Sequence, residues 1–465
     1  MTLSQIDFAP PGDLAPVVDR RPILAEGRSL VRLALPIMLI ALVNMGMSIT
    51  DAAMVSLLFG ADALAAVAVG SDLYSILFYL GAGTLAGLAP FYAASVVRSD
   101  PMERARLERI GRVAVALLAA VLVPALWTAP DWLGALGLDS GLLNQGRGYT
   151  QVMALTLLPM LGVAFYRTIL TAAEKPQVFL WVTLTMLPVN AAANYILMTG
   201  AGPAPNFGPT GAALATLLVA TMSLLILVLV ARRSRPSDRK ASSRPVDWRG
   251  LASVLRVGLP IGVATVAEVG VFLGATIYAA TLSAADVAAH TLALRTAGVA
   301  YAVPTALLQA AMIRMARAET LGDPEIRKAV TASGLGLSLI AGASLFGALM
   351  LGARPLADGF FDDGAEGLAA AGLAVGLLML LGVMELIAGL GSTAAGLLRG
   401  RTDTRAPMLY TLVGNWVVGA PLGLYLCKGQ GLGITGVWIG LAAGTLLSAL
   451  LTLCRLRAFR HGQSH

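Results

Sequence analysis

Long apolar runs separated by short polar clusters divide the chain into twelve segments, near residues 32–59, 64–97, 107–127, 148–171, 177–199, 209–231, 251–281, 287–313, 329–352, 367–398, 406–427 and 434–454. Each is long enough to cross a bilayer, since about 20 residues span the hydrocarbon as a helix. The pattern predicts an all-α integral membrane protein. One polar stretch, RRSRPSDRKASSRPVDWRG at 232–250, stands between the sixth and seventh spans. Its seven Lys/Arg, two Pro and four Ser carry no apolar periodicity, which is the composition of a solvated, flexible linker. The expected layout is an N-terminal tail (1–29), an N-lobe of spans 1–6 (30–231), the linker (232–250), a C-lobe of spans 7–12 (251–458) and a tail (459–465).

The two lobes repeat one another. LALPIM with Pro36 returns as VGLPIG with Pro260, an offset of 224; Ala65-Ala66 match Ala288-Ala289 at 223, and Thr210-Gly211 match Thr435-Gly436 at 225. Such constant offsets indicate duplication. An even number of spans per half makes the repeats parallel, related by an axis along the membrane normal, with a substrate path expected between them near the midplane.

Composition adds to this picture by exclusion. With 57% hydrophobic and 13% charged residues, the chain lies far from the soluble average of about 25% charged. Residues 1–29 lack a continuous apolar core, so no cleaved signal peptide is expected and the first span must direct insertion. The two cysteines, Cys427 and Cys454, fall at opposite ends of the last hairpin, where no disulfide is expected. Only one histidine within a span, His290, argues against a metal enzyme. Of 33 Lys/Arg, 28 fall in the tails, the linker and alternate loops, against Arg147, Arg354 and Lys428 in the others. That asymmetry places both termini and the linker in the cytoplasm. The net charge of +7 is then a topology signal, and no nucleic-acid partner is expected.

Candidate chemistry lies in the few polar residues inside spans. Asn44, Ser48 and Asp51 share one face of span 1. A carboxylate there costs about 2.5–3.5 kcal/mol on insertion scales, so Asp51 is expected to face the protein interior as a cation or proton site. In span 5, Asn190 and Asn194 follow Pro188, which can free backbone carbonyls as ligands. Span 7 places Glu268 deep in the membrane, at the repeat position of Asn44. In span 10, Glu385, Gly389, Ser392 and Gly396 line one stripe, leaving space beside the carboxylate. Four of the 26 acids, Asp51, Asp72, Glu268 and Glu385, lie within spans, against one clearly mid-span base, Arg295. The negative interior suits a cation better than an anion. Asp72 and Arg295 are repeat mates of opposite charge at an offset of 223, which makes them a candidate pair across a central cleft, alternative to Arg295 neutralising an acid of its own lobe such as Glu268.

The Asp51 span, the AAHTLAL start of span 8, Glu268 and the MELIAGLGSTAAGLLRGRTDTRAP passage together resemble the multidrug and toxic compound extrusion (MATE) family, NorM-like branch, over essentially the whole chain after residue 28. The resemblance implies two six-helix lobes that alternate in access and export organic cations in exchange for Na⁺ or H⁺. It implies coupling-ion roles for Asp51 with Asn190 and Asn194 in the N-lobe, and a C-lobe cation or substrate site at Glu268 and Glu385. Family members often carry Asp where Glu385 stands, and uncharged residues where Asp72 and Arg295 stand.

The expected function is therefore a secondary-active exporter of amphipathic, mostly cationic small molecules. The chain has no G-x-x-x-x-G-K-[ST] phosphate loop and no soluble domain to hold one, so an ion gradient must supply the drive. No cofactor and no metal beyond Na⁺ at the coupling sites is expected; the partners are organic cation substrates and the lipid bilayer. The protein is expected as a monomer in a bacterial inner membrane. A flippase for lipid-linked saccharides is the alternative, weakened because its polyanionic cargo calls for several Arg/Lys. A membrane enzyme acting through DDGAE, 362–366, is disfavoured, since that loop is predicted to lie outside with Arg354 as its only base.

Overall fold

In the computed structural model, residues 22–137, 140–201, 205–233, 247–362 and 364–461 are described. The first 21 residues, the linker from 234 to 246 and the last four lie outside that set. Among the described residues, twelve helices are long and apolar enough to cross a membrane: α1 (Ile23–Gly60), α2 (Asp62–Val97), α3 (Pro101–Trp127), α4 (Ser140–Ala172), α5 (Pro176–Thr199), α6 (Thr210–Ala231), α7 (Trp248–Ala279), α8 (Ala284–Leu321), α9 (Pro324–Phe360), α10 (Ala365–Gly400), α11 (Arg405–Gly429) and α12 (Gly433–Ala458). Every predicted span coincides with one of them. Helices satisfy their own backbone groups, which is what lipid demands. Large apolar side chains are correspondingly displayed on the outside, Leu57 at 85% exposure and Leu351 at 84%.

Local chemistry sets the helix ends. Between α1 and α2 the helical path breaks only at Gly60, whose φ of 86° favours a residue without Cβ. Asp100 and Asp323 cap α3 and α9 by accepting from the N–H groups of Glu103 and Glu325, each with proline at the first helical position. Ser283 and Asp286 form a reciprocal capping box at the start of α8. Farther along α8 the helix is interrupted at Tyr301, where Pro304 cannot donate to the carbonyl of Ala300. Within α11, two π-helical segments, Val413–Gly419 and Tyr425–Gly429, replace regular α geometry.

The chain forms two compact units. The first comprises Leu39–Gly262, and an apolar cluster in it packs Ile40 of α1 and Val163 and Leu170 of α4 against Phe179, Val182 and Met186 of α5 and Leu227 of α6. The second comprises Val263 onward together with residues 18–38. It is centred on Trp438, fully buried among Ala293, Ala353, Leu377 and Leu378. Both boundaries, 38/39 and 262/263, fall two residues past a repeated proline, Pro36 and Pro260. The opening halves of α1 and α7 thus belong to the unit built otherwise from the opposite chain half.

Specific contacts hold those opening halves. In the second unit Glu26 pairs with Arg314 of α8 at 2.6 Å, with both side chains about 15% exposed, and Ser333 of α9 donates to the carbonyl of Ile23 at 2.6 Å. In the first unit α7 crosses α2 at glycines: a Cβ on Gly83 would stand 2.6 Å from Gly262 Cα, and one on Gly87 2.4 Å from Gly258 Cα. Such spacing lets helix backbones meet without lipid between them. Asp247, just ahead of α7, accepts from the Gly250 N–H and pairs with Arg106 of α3. These two partners hold its carboxyl below the ordinary carboxylate range. Cys427 is buried and Cys454 exposed, and both are free.

Candidate functional site

In the first unit the structure brings Asp51, Asn190 and Asn194 together. The Asn194 side-chain amide donates to Asp51 Oδ1 and, at 3.4 Å, to Asn190 Oδ1. Both asparagines are buried, at 0% and 2% exposure, while Asp51 is half-buried. The i, i+4 spacing on α5 sets the two amides one above the other. Helix α5 runs unbroken through Pro188, and the hydrogen bonds at this site are between side chains. Asn194 Oδ1 is buried without a hydrogen-bond partner. An orphaned carbonyl-type oxygen beside a carboxylate suits a bound cation or water.

Two further groups complete the cluster. Thr216 of α6 donates to Asp51 Oδ2 at 3.4 Å, and Tyr149 of α4 lies in electrostatic reach of Asp51 and Asp72 and beside Ser71. Neither stood out in the sequence, where a lone Thr or Tyr in an apolar span is an ordinary packing residue. Asn44 and Ser48, expected on the face of Asp51, are exposed and take no part. Asp72 is exposed on the first unit and Arg295 on the second, so each is placed by its own unit.

The second unit gathers Glu268 of α7 and Glu385 of α10 within electrostatic reach of one another. Glu385 is 5% exposed and its Oε2 has no hydrogen-bond partner. The stripe of small residues on α10 is closely packed where space beside the carboxylate was expected: a Cβ on Gly389 would stand 3.1 Å from Ser338 Oγ, itself buried and unpartnered, and one on Gly396 2.3 Å from the carbonyl of Leu308. Glu268 stands beside the Tyr301 hydroxyl, at the interruption of α8. The π-helical segment of α11 turns Trp416 onto α7, where its indole N–H donates to the carbonyl of Ala267 at 2.9 Å. That contact fixes the backbone one residue before Glu268.

Two bases counted with the loops, Arg399 and Arg167, belong to membrane-crossing helices, each near the helix end. Arg399, counted with the loop after span 10, is only 7% exposed and lies within electrostatic reach of Glu268. Tight packing at the end of α10, where a Cβ on Gly400 would stand 2.5 Å from the carbonyl of Met312, draws it inside. In the first unit a second base, Arg167, lies within α4 near Tyr79.

His290 of α8 sits in the apolar core of the second unit at 1% exposure. Trp438 Nε1 donates to its Nδ1 at 3.1 Å, and its Nε2 lies 2.9 Å from Thr276 Oγ1. Because the Thr276 hydroxyl donates to the Phe272 carbonyl, Nε2 must carry the ring proton. The imidazole is therefore neutral, with one donor and one acceptor satisfied. It ties α7, α8 and α12 together. Among the described residues no three His, Cys, Asp or Glu side chains gather into a metal-holding group.

Comparison with known proteins agrees with this architecture. The MatE family model matches residues 36–196 and 260–425, one match in each repeat. A probable multidrug resistance protein NorM of Bradyrhizobium diazoefficiens is 33% identical over 433 residues, covering 92% of each chain. The multidrug resistance protein NorM of Burkholderia vietnamiensis is 31% identical over 429 residues, 91% of this chain and 92% of that one. Among solved structures, the eukaryotic MATE transporter AtDTX14 superposes with a TM-score of 0.80 at 18% identity, covering 93% of this chain and 96% of that one. A MOP superfamily transporter from Pyrococcus furiosus gives 0.84 at 19% identity, covering 96% and 99%.

Proposed function

The chain belongs to the MatE family of multidrug efflux transporters, and on that footing we propose that it exports amphipathic, mostly cationic small molecules in exchange for Na⁺ or H⁺. It is a multi-pass membrane transporter and not an enzyme. The coupling reading rests above all on Asp51, a carboxylate within an apolar helix bundle whose hydrogen-bond donors are the neutral Asn194 and Thr216. Neutral donors orient a carboxylate without cancelling its charge, which leaves that charge for an exchangeable cation. Glu385, with a buried oxygen that has no protein partner, offers a second such position.

A monovalent organic cation leaving a cell against an inside-negative potential costs about 2.3 kcal/mol per 100 mV. Cations entering down their own gradient supply that work. The same carboxylates bind the entering ion in one state and release it when substrate occupies the other. In this reading the protein acts as a monomer without cofactor in a bacterial inner membrane, with both termini and the 232–250 linker in the cytoplasm, as the charge asymmetry of its loops favours. The saccharide flippase alternative finds no support among the relatives.

Accumulation of a fluorescent cationic dye in an efflux-deficient bacterium tests the proposal. Cells expressing the protein should retain several-fold less dye than cells expressing Asp51→Asn together with Glu385→Gln at equal membrane abundance. Equal retention by the two would refute it.

A further inference from the structure

We propose that Ser338 of α9 and Thr393 of α10 form, with bridging water, a proton line that leads from Glu385 along the seam between those helices, so that the cation exchanged at Glu385 is a proton. This inference rests on the antiport reading above and names the ion and two further residues of that site. Helices α9 and α10 pack antiparallel at close range. A Cβ on Gly342 would stand 3.0 Å from Leu386 Cα and 3.4 Å from the carbonyl of Glu385. One turn along, a Cβ on Gly389 would meet Ser338 Oγ at 3.1 Å, and a turn beyond that one on Gly334 would meet Thr393 Cγ2 at 3.3 Å. The seam thus sets Glu385, Ser338 and Thr393 at successive turns, at 5%, 1% and 0% exposure.

Glu385 Oε2, Ser338 Oγ and Thr393 Oγ1 are each buried without a hydrogen-bond partner. For the two hydroxyls this departs from the habit of the unit, where Thr296, Thr331, Ser344 and Thr452 all donate to the carbonyl four residues back, the ordinary way a helix absorbs a hydroxyl. Buried hydroxyls that forgo that bond are satisfied by internal water. Successive members of the line are about 5.4 Å apart along the seam, a gap that one water closes with two hydrogen bonds of about 2.8 Å each. The arrangement suits a proton better than a metal ion, because a hard cation gathers its oxygens around one centre and these are strung over two turns. Hydroxyl and water both donate and accept. A proton on Glu385 Oε2 passes to the first water as that water gives one to Ser338, and so on to Thr393; each hydroxyl and water ends neutral, Glu385 ends charged, and the excess proton leaves beyond Thr393. One turn farther, Val330 and Leu397 are fully buried in an apolar cluster, which closes the line at the end that the loop charges assign to the cytoplasm, so release inward requires that cluster to part. Among charged groups near the line, Glu268 of α7 lies within electrostatic reach of Glu385, and Arg399 lies six residues beyond Thr393, in reach of Glu268. His290 of α8 is taken up by Trp438 and Thr276. Helix α9 carries no charge between Lys328 and Arg354, and α12 none before Arg455.

Infrared spectra of the purified protein recorded across neutral pH read the line without turnover. The protonated-carboxyl band of Glu385 is the one lost in Glu385→Gln. In Ser338→Ala, which removes a single oxygen, that band should move to higher frequency, because the carboxyl loses its hydrogen-bonded chain; added Na⁺ should leave the band of the unsubstituted protein in place. Efflux of tetraphenylphosphonium from proteoliposomes under a pH gradient gives the second readout. Ser338→Ala and Thr393→Val should slow it at least roughly tenfold with KM unchanged, since a positioned proton-transfer group is typically worth more than that. Thr393→Ser, which keeps the hydroxyl and loses the methyl, should retain the rate. The proposal is overturned by a Glu385 band that is absent or stays put in Ser338→Ala, by equal loss in Thr393→Ser and Thr393→Val, or by efflux driven by a Na⁺ gradient alone. Efflux by the unsubstituted protein that ignores both cation gradients would instead overturn the antiport reading beneath it.

Discussion

Replacing Asp51 by asparagine keeps the shape of the side chain and removes its charge. The neighbours in the structure allow the exchange: Asn194 can still donate to the remaining carbonyl oxygen, and the Thr216 oxygen can accept from the new amide while its hydroxyl donates to the Ala212 carbonyl. Folding should therefore change little. A neutral donor–acceptor pair stabilises by about 0.5–1.5 kcal/mol where a bond to a charged group gives about 1.5–3 kcal/mol, so the loss is about 1 kcal/mol. Cation binding should change far more. A monovalent cation about 4 Å from a carboxylate gains about 4 kcal/mol at an effective dielectric near 20. At about 1.4 kcal/mol per decade, that is a loss of roughly three decades in affinity. The assay is titration of the coupling cation against intrinsic fluorescence of purified protein, beside gradient-driven efflux at a fixed gradient. Both should collapse in Asp51→Asn while Asn194→Ala, which keeps the charge and removes its orienting amide, shows an intermediate loss. Efflux at the unsubstituted rate in Asp51→Asn would refute the assignment and leave Asp51 as a residue of helix packing.

Three further outcomes follow from particular contacts. Glu26→Gln should lower stability in detergent by about 1.5–3 kcal/mol, the worth of hydrogen bonds to a charged group, and Glu26→Leu with Arg314→Met should recover part of it, since an unpaired buried charge costs more than an apolar pair; thermal unfolding of the two variants beside the unsubstituted protein decides. His290→Phe should cost about 1–3 kcal/mol by leaving the Trp438 N–H and Thr276 hydroxyl unsatisfied, visible as a changed tryptophan emission and a lower unfolding midpoint. The Asp247–Arg106 tether depends on a carboxyl whose folded pKa is depressed, so its contribution is complete above the ordinary carboxylate pKa of about 3.9 and is lost as pH falls through the lower folded value. A proteolysis rate near residue 247 that is flat from about pH 5 to 8 and rises in acid checks this, and a rise already at neutral pH would contradict it.

The twelve helices were legible because length and apolarity suffice to define a span, and every span expected from the sequence is a helix. The sites were legible for a related reason. Polar side chains in apolar spans are costly, so Asp51, Asn190, Asn194, Glu268 and Glu385 stood out individually, and the structure groups them within their units. What hydropathy could not supply was partnership across helices. Thr216 and Tyr301 look like ordinary span residues until α6 and the interrupted α8 bring them beside a carboxylate. Arg399 was hidden for the opposite reason: with Arg401 and Arg405 close behind, it counted as one of the bases that orient the loop. Only the close packing of α10 against α8 shows that it is buried. The exchange of the opening halves of α1 and α7 between units was likewise invisible, although Pro36 and Pro260 marked where it occurs.

Efflux of a fluorescent organic cation from proteoliposomes, under separately imposed Na⁺ and pH gradients, tests the central claim most directly. The account predicts that one inward cation gradient alone accelerates efflux of the dye, and that collapsing this gradient with the matching ionophore abolishes the acceleration. Efflux equally fast with neither gradient, with either, and with both would contradict it.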